Sequence, residues 1–428
     1  MSVADIKKRI SDGYYDDDFK TMYGETAAAA KRYSDALDAF SEIYGKFYGD
    51  KRTPRLFSAP GRTEVGGNHT DHQHGCVLAG SVNLDVIAVV AENEDRKVRI
   101  KSEGFPEDII DLDHLEPDPA EFGHAAALIR GMCGIMEKQG YKVGGFDAYT
   151  TSNVLKGSGL SSSAAFEVLV GVIISHLFNN GAVSAVDIAK FAQGAENEYF
   201  GKPCGLMDQM ASSVGGFTSI DFNDPKNPII NKVEFDLASH GHALCIVNTG
   251  GNHADLTGDY ADITVGDREV AEFFGKEFLR EVSEEEFYAN IKPLREKLGD
   301  RGILCAIHFF ADNRRAIDEA EALRKNDFEE FLRLITESGN SSFKYLQNVF
   351  STRFPSEQGL SIALAVTERF LKGKGACRVH GGGFAGTIQA FVPTEILAEY
   401  KHMIEKIFGE NTCYVLNIRP VGGYALKV

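Results

Sequence analysis

Apolar residues recur with a helical period near the start of the chain. Tyr33, Leu37, Phe40 and Tyr44 follow one another at intervals of four, three and four residues, and acidic side chains occupy the positions between them. Such a stripe is typical of an amphipathic helix that packs on a core. The pattern predicts that residues 1–50 form a helical extension docked on the part of the chain that follows.

Beyond this extension the pattern changes to short apolar runs separated by glycine-rich turns. The runs at 82–93 and 146–151 predict strands, and the segment around 124–139 predicts a helix between them. A mixed α+β domain is therefore expected over residues 51–222. Its end is marked by the sequence FNDPKNPI, in which Asp, Pro and Asn predict a turn and a domain boundary.

The remaining residues, 223–428, predict a second domain. A strand is expected at 243–249, and long amphipathic stretches predict helices at 260–285 and 310–340. Further strands are expected around RVHGGGFAGTIQAFV and in YVLNIRP. The chain has no internal repeat and no low-complexity linker.

The composition of the chain argues against some classes of binding partner. The 428 residues include 45 Lys and Arg against 62 Asp and Glu, a formal charge of −17, which argues against nucleic acid or an anionic membrane as a partner. The seven cysteines form no CxxC pair, so neither a disulfide framework nor a structural zinc site is expected. The N-terminal residues are charged, so no signal peptide is expected. The apolar stretch at 164–178 is too short to span a membrane. We expect a cytoplasmic protein, a monomer or a weak homo-oligomer.

One polar stretch, GRTEVGGNHTDHQHG at 61–75, is unlike a core strand. It holds three His, four Gly, two Thr, one Asn and one Asp beside a single Arg and Glu. A second stretch, NVLKGSGLSSSAAFEVLVG at 153–171, has a Gly-Ser turn that leads into a predicted helix start. Backbone N–H groups and the helix dipole at such a start bind anions, so the stretch predicts a phosphate site. The alternatives are a flexible linker or an ordinary serine N-cap, and the Walker A pattern is absent.

Two further stretches carry candidate chemistry. AENEYFGKPCGLMDQMASSVGG at 195–216 places Glu196 on a predicted helix and Asp208 in a turn-rich stretch. Phosphoryl transfer needs hard oxygen ligands for Mg²⁺ and a group that accepts or orients the attacking hydroxyl, and carboxylates suit both tasks. Taken singly, either acid is more typical of a solvated surface. The run HGGGFAGT at 380–387 predicts close approach of backbone to a ligand or chain segment, or else a tight hairpin.

Together and in this order, these stretches resemble the GHMP small-molecule kinases, and among them the galactokinase branch. The first stretch is similar to the galactokinase pattern GRxNxIGEHTDYxxG, and AENEYFGKPCGLMDQ is similar to AEHxxxGxPCGIMDQ. The resemblance spans about residues 50–425. It implies an α+β fold in which an N-terminal domain with a left-handed βαβ crossover packs against a C-terminal ferredoxin-like domain. ATP and a sugar are then expected in the cleft, with Mg²⁺.

The resemblance also implies residue roles. Asp208 matches the catalytic aspartate and Arg62 its partner, while Ser163 and Glu196 match the Mg²⁺ ligands. The phosphate loop is matched by the following residues: Gly157, Ser158, Gly159, Leu160, Ser161, Ser162 and Ser163. Positions expected to contact the sugar are the following: Asn68, His69, Asp71, Gly205 and Tyr260. Asp71 is expected to accept hydrogen bonds from the sugar hydroxyls.

The departures from the pattern lie in the sugar motif. The usual Glu before the His is Asn68, the usual Tyr after the Asp is His72, and the usual NLIG is Glu64, Val65, Gly66 and Gly67. In galactokinases that Glu resembles a ligand of the C6 hydroxyl, and an amide there removes a negative charge and adds two donors. The expected reaction is transfer of the γ-phosphoryl of ATP to the anomeric hydroxyl of galactose. The alternatives are the same reaction on galacturonate, an N-acetylhexosamine or arabinose, and a non-catalytic sugar sensor.

Overall fold

The chain folds around two β-sheets flanked by helices, and the predicted α+β class is confirmed. In the computed structural model, the residues described are 1–48, 52–154, 160–251 and 256–428. Within these ranges no helix combines the length and the apolar composition needed to cross a membrane. The predicted boundaries at residues 50 and 222 stay predictions.

The helices within the described ranges are numbered in chain order. They are α1 (Val3–Ser11), α2 (Asp16–Tyr23), α3 (Ala27–Tyr48), α4 (Ala125–Lys138), α5 (Ser162–Phe178), α6 (Ala185–Gly194), α7 (Met207–Val214), α8 (Thr257–Phe273), α9 (Glu284–Ala289), α10 (Ile291–Leu298), α11 (Arg301–Arg324), α12 (Phe328–Ser341), α13 (Gly359–Leu371) and α14 (Leu397–Phe408).

The strands within the same ranges are numbered in the same way. They are β1 (Arg55–Gly66), β2 (Cys76–Glu92), β3 (Lys97–Ser102), β4 (Glu107–Asp111), β5 (Phe146–Ser152), β6 (Phe217–Asp221), β7 (Ile229–Val233), β8 (His242–Asn248), β9 (Ala376–His380), β10 (Thr387–Pro393), β11 (Cys413–Leu416) and β12 (Tyr424–Ala425).

The larger sheet has the order β12-β1-β2-β5-β3-β4, with β6 paired to the far end of β2 and β7 paired to β6. Its only parallel pair within the described residues is β3 with β5, and the connection between them passes through α4. All the other pairs in this sheet are antiparallel. The sheet thus receives strands from both halves of the chain, because β7 and β12 follow the predicted boundary at residue 222.

The smaller sheet has the order β11-β8-β10-β9, and every pair in it is antiparallel. Helices separate β8 from β9 and β10 from β11 along the chain. Strands in the order 4-1-3-2 with helices after the first and third are the arrangement of a ferredoxin-like fold. This matches the expectation for the C-terminal part.

Helix α5 packs on the larger sheet. Its sequence, SSAAFEVLVGVIISHLF, is apolar on all sides after the opening serines, and eleven of its residues are buried. A helix that is hydrophobic all round belongs in a core. Because α5 packs on β1 and β2, its N-terminus is held at a fixed place beside the sugar motif.

Most predicted elements are present, with three differences. The stretch predicted as one helix at 260–285 ends at Phe273, since Gly275 takes φ +69°, and the one predicted at 310–340 is divided at Asn326, which has φ 57°. Asp208 does not lie in a turn, because it is the second residue of α7. Left-handed backbone at single residues ends helices, and apolar periodicity does not report it.

The helical extension is anchored by the buried carboxylate of Asp85 on β2. Tyr23 donates to Asp85 Oδ2 at 2.6 Å, and Arg32 hydrogen-bonds Asp85 through its carboxylate and its carbonyl oxygen. Ser58 and Arg419 donate to the same Oδ2. Burial opposes ionisation, but the charges of Arg32 and Arg419 outweigh it and hold the pKa of Asp85 below its usual range. The predicted stripe of α3 is buried, as expected.

Candidate active site

Arg62 and Asp208 meet at the junction of β1 and α7. Arg62 Nε and Nη2 each donate to one oxygen of Asp208, both at 2.7 Å, which is a bidentate ion pair. The side chain of Asp208 keeps 31% of its surface exposed. Burial alone would raise the pKa of Asp208, but the charge and hydrogen bonds of Arg62 outweigh burial and lower it. Asp208 is therefore an ionised, accessible acceptor at neutral pH.

The end of the predicted phosphate loop lies directly against this pair. The backbone N–H of Arg62 donates to Leu160 O at 3.0 Å, and a Cβ on Gly61 would lie 2.9 Å from the same oxygen. Glycine at position 61 thus lets β1 approach the loop. Leu160 is fully buried, and its carbonyl oxygen accepts the hydrogen bond from Arg62. Gly157, Ser158 and Gly159 lie outside the described residues.

The serines that follow begin α5. Ser161 is its N-cap, with φ 52°, and Ser162 and Ser163 are its first two residues. Both line an open cavity of about 610 Å³ together with Asn153, Val154 and apolar side chains. The apolar members are the following: Val86, Phe105, Ala125, Leu128, Phe166 and Phe200. A helix N-terminus beside an apolar groove can take a phosphate and a flat apolar group at once.

Glu196 belongs to a π-helical turn, Ala195–Phe200, that continues α6. Its Oε1 accepts from Lys202 at 3.0 Å and its Oε2 from Gln209 at 2.8 Å. Gln209 also donates to Glu167 at 3.2 Å, which joins two buried carboxylates. Burial and the charge of Glu196 raise the pKa of Glu167 well above its usual range. No hydrogen bond joins Ser163 to Glu196 in the described part of the chain.

The fit of these residues to Mg²⁺ rests on their oxygens. Among the residues that the structure describes, Glu167 Oε1 is buried without a hydrogen-bond partner, and each oxygen of Glu196 has a single donor. Over the described ranges, no group of three or more His, Cys, Asp or Glu is arranged to hold a metal ion. Protein sites for Mg²⁺ use one or two carboxylates together with substrate phosphates. The donor set therefore fits a cation shared with a nucleotide.

Asn68 is fully buried, and every polar atom of its side chain is bonded to protein. Its Nδ2 donates to Glu64 Oε1 at 2.9 Å and to Gly381 O at 2.8 Å. Its Oδ1 accepts from Asn348 at 2.8 Å and from Ser342 at 3.2 Å. An amide has two N–H donors and two acceptor lone pairs, so these four bonds use the side chain completely.

Three successive glycines, 381–383, follow β9, and their carbonyl groups accept hydrogen bonds from two residues of the sugar motif and from Tyr260. Gly381 O accepts from Asn68, Gly382 O accepts from His69 Nε2 at 2.9 Å, and Gly383 O accepts from the Tyr260 hydroxyl at 3.0 Å. A Cβ on Gly383 would lie 2.0 Å from Asn348 O, and its φ is +84°. The run therefore holds three predicted sugar-contacting side chains in place.

Asp71 and Gly205 lie next to each other in the lining of a small cavity of about 270 Å³. A Cβ on Gly205 would lie 3.1 Å from Asp71 Oδ2, so glycine leaves room beside the carboxylate. His72 lines the same cavity, and neither of its ring nitrogens has a partner among the described residues. Burial lowers the pKa of His72 to about 4, so its imidazole is neutral and offers one donor and one acceptor.

Two residues of this region were not predicted as site residues, Glu64 and Arg378. Arg378 on β9 is fully buried and donates to Glu64 Oε1 at 2.6 Å and to Val65 O at 2.8 Å. Burial raises the pKa of Glu64 to about 7 against the opposing charge of Arg378. The one signal in the sequence for this contact was a charged residue, Arg378, inside the largely apolar strand ACRVH. It does not name a partner 314 residues away.

The comparisons with known families match two segments. The model of the GHMP kinases N terminal domain matches residues 127–216, which include α5, Glu196 and Asp208. The model of the galactokinase galactose-binding signature matches residues 40–92, which include Arg62 and Asp71. Three of the four motif stretches, 61–75, 153–171 and 195–216, thus fall within matched segments, and the run at 380–387 lies outside them.

Among solved structures, the chain is similar to galactokinase of Lactococcus lactis in complex with galactose. The TM-score is 0.75 at 26% identity, over 91% of this chain and 99% of that one. Mevalonate kinase of Methanococcus jannaschii has a TM-score of 0.60 at 15% identity, over 86% and 98% of the two chains. A D-glycero-D-manno-heptose 1-phosphate kinase of Bacteriodes thetaiotaomicron has a TM-score of 0.60 at 17% identity, over 88% and 99%. The last two matches support the fold.

Proposed function

The chain belongs to the GHMP kinases and carries their galactokinase signature, and on that premise we propose that it phosphorylates galactose at the anomeric hydroxyl. The observation that carries this proposal is the bidentate pair of Arg62 and Asp208. Arg62 contacts Leu160, the residue before the N-cap of α5, and the charge of Asp71 acts on its guanidinium, so a sugar bound at Asp71 and a phosphate bound at α5 would both be near this pair.

In the proposed reaction, Asp208 accepts a hydrogen bond from the anomeric hydroxyl and orients its oxygen toward the γ-phosphorus. The proton passes to Asp208 as the new O–P bond forms and the bond from phosphorus to the ADP oxygen breaks. Arg62 keeps Asp208 ionised before transfer and stabilises negative charge on the transferring group. Asp71, His69, Gly205 and Tyr260 bind and position the sugar.

The nucleotide is assigned to the α5 end of the site. The N–H groups of Ser162 and Ser163 would bind phosphate, with Leu160 contributing its backbone. The apolar cavity lined by Phe105, Leu128 and Phe166 would take the base. Ser163 and Glu196 would hold Mg²⁺, which when bound neutralises charge on the phosphates. The seven free cysteines suit a reducing compartment, and we place the protein in the cytoplasm.

The test is ADP release with Mg-ATP across galactose, galacturonate, N-acetylgalactosamine, glucose and arabinose. We expect turnover with galactose to exceed that with every other sugar, and the product to be galactose 1-phosphate by ³¹P NMR. Turnover with another sugar and little with galactose would contradict the substrate assignment. No turnover with any of them would contradict the kinase assignment itself.

A further inference from the structure

The buried carboxylate of Glu64 is carried by the same strand as Arg62. Glu64 and Arg62 are two residues apart on β1 with regular pairing to β2 between them, so their side chains leave the same face of the strand. The charges of Arg62 and Asp71 both act on Glu64. Glu64 therefore lies on the side of β1 that forms the catalytic pair.

The two oxygens of Glu64 are used differently. Arg378 and Asn68 both donate to Oε1, at 2.6 and 2.9 Å. Oε2 accepts no hydrogen bond from the part of the chain that the structure describes, and Glu64 keeps 7% of its surface exposed. Asn68 has no exposed surface and no unused polar atom. Of this pair, only Glu64 has an acceptor left for another molecule.

The sequence also distinguishes the roles of Glu64 and Asn68. The galactokinase pattern GRxNxIGEH has Asn at the position of Glu64 and Glu at the position of Asn68. This chain has the two residue types exchanged, and the two side chains are in hydrogen-bond contact. The exchange keeps one carboxylate and one amide in contact with each other. In this chain the carboxylate, Glu64, lies on β1, and the amide, Asn68, lies in the loop that follows.

We propose that Glu64 Oε2 accepts a hydrogen bond from a hydroxyl of the sugar, and that Asn68 and Arg378 act as positioning residues that fix Oε1. This inference rests on the proposed sugar kinase function and makes Glu64 a specificity-determining residue of it. When it is ionised, the Glu64 carboxylate selects a neutral hydroxyl over a carboxylate at the same sugar carbon, because two like charges repel at close range.

The experiment compares Glu64→Gln, Asn68→Glu and the exchanged double variant Glu64→Asn/Asn68→Glu. Glu64→Gln should raise KM for galactose about 10- to 100-fold, the range for losing a hydrogen bond to a charged acceptor, and leave KM for ATP unchanged. Asn68→Glu alone should also bind galactose poorly, because it sets two carboxylates in contact. The double variant should recover KM to within about threefold of the wild type, as a coupled pair requires.

Glu319→Gln is the matched control, because Glu319 is a buried carboxyl on which the charges of Arg378 and Glu64 also act, while its own oxygens accept no hydrogen bond from the described residues. It should leave KM for galactose unchanged. A KM for Glu64→Gln within twofold of the wild type, or a double variant no better than Asn68→Glu, would overturn the proposal. Calorimetric titration with galactose separates the two hypotheses. Wild-type binding without turnover refutes the kinase function alone and leaves Glu64 testable by binding, whereas no wild-type binding refutes both.

Discussion

At the scale of single residues, the ability of the site to bind a substrate depends on which polar atoms are still available for a hydrogen bond. Asp208 has both oxygens paired with Arg62 yet keeps nearly a third of its surface exposed, whereas Asn68 has no polar atom to spare. Sequence motifs name the residue type at each position and cannot show this difference. They predicted the pair of Asp208 and Arg62, because that role follows from two specific motifs.

Replacing Asp208 by Asn should lower kcat about 10²- to 10⁴-fold with a modest change in KM for galactose, because an amide cannot accept the hydroxyl proton. The measurement is steady-state ADP release at saturating Mg-ATP. The matched control is Asp113→Asn, which removes a carboxylate from a solvent-exposed pair with Arg96 and should leave kcat unchanged. A kcat for Asp208→Asn within threefold of the wild type would refute the assigned role.

At the scale of elements, the helical extension is tied to the sheet by charge as well as by apolar contact. Arg32 on α3 hydrogen-bonds Asp85 and also donates to Thr151 O at 3.1 Å. Asn153, which lines the cavity assigned to the nucleotide, accepts from the backbone N–H of Asp85 at 2.6 Å. The extension therefore supports the strand ends that border this cavity.

Arg32→Ala should lower the free energy of unfolding by about 3 kcal/mol, because it leaves the buried Asp85 carboxylate short of a partner. Lys31→Ala, one residue away on α3, removes a pair with Asp35 in which both side chains are more than half exposed, and should cost less than about 1 kcal/mol. Urea unfolding of both variants gives the comparison. Equal losses would show that the ion pair with Asp85 does not anchor α3.

Periodicity predicted most elements of this fold because it reports which face of a segment is buried. It missed the interruptions at Gly275 and Asn326, where a single left-handed residue ends a helix. The contact of Arg378 with Glu64 was likewise out of reach, since it joins strands of two different sheets. Local pattern carries information on neighbours three or four residues away, and tertiary contacts of this kind lie beyond it.

At the scale of the whole molecule, buried acids make stability depend on pH. Burial raises the pKa of Glu64, Glu167, Asp267 and Glu319. An acid whose pKa is higher in the folded state binds more protons there, so the free energy of unfolding falls as pH rises above the unfolded value. Buried histidines with lowered pKa values act in the opposite sense below about pH 6.5. Replacing one of these acids isolates its contribution to the pH dependence of the free energy of unfolding.

Glu319→Gln should become progressively more stable than the wild type as pH rises from about 5 to 8. Burial raises the pKa of Glu319 in the folded state, so its carboxyl sheds a proton on unfolding at any pH between the unfolded and the folded pKa, and the difference should grow by up to about 1.4 kcal/mol per pH unit over that interval. The measurement is urea unfolding at four pH values. A difference that stays constant with pH would show that Glu319 ionises in the folded protein as it does in the unfolded chain.

The cluster around Asp85 also has a consequence for the order of synthesis on the ribosome. Its partners Tyr23, Arg32 and Ser58 are made early, but Arg419 is made more than three hundred residues later, and β12 pairs with β1 later still. A nascent chain that has already formed β1 and β2 therefore carries an incompletely paired carboxylate and an open sheet edge. The β1 edge of the larger sheet therefore stays unpaired until β12 has been synthesised, and an unpaired sheet edge is a template for wrong pairing.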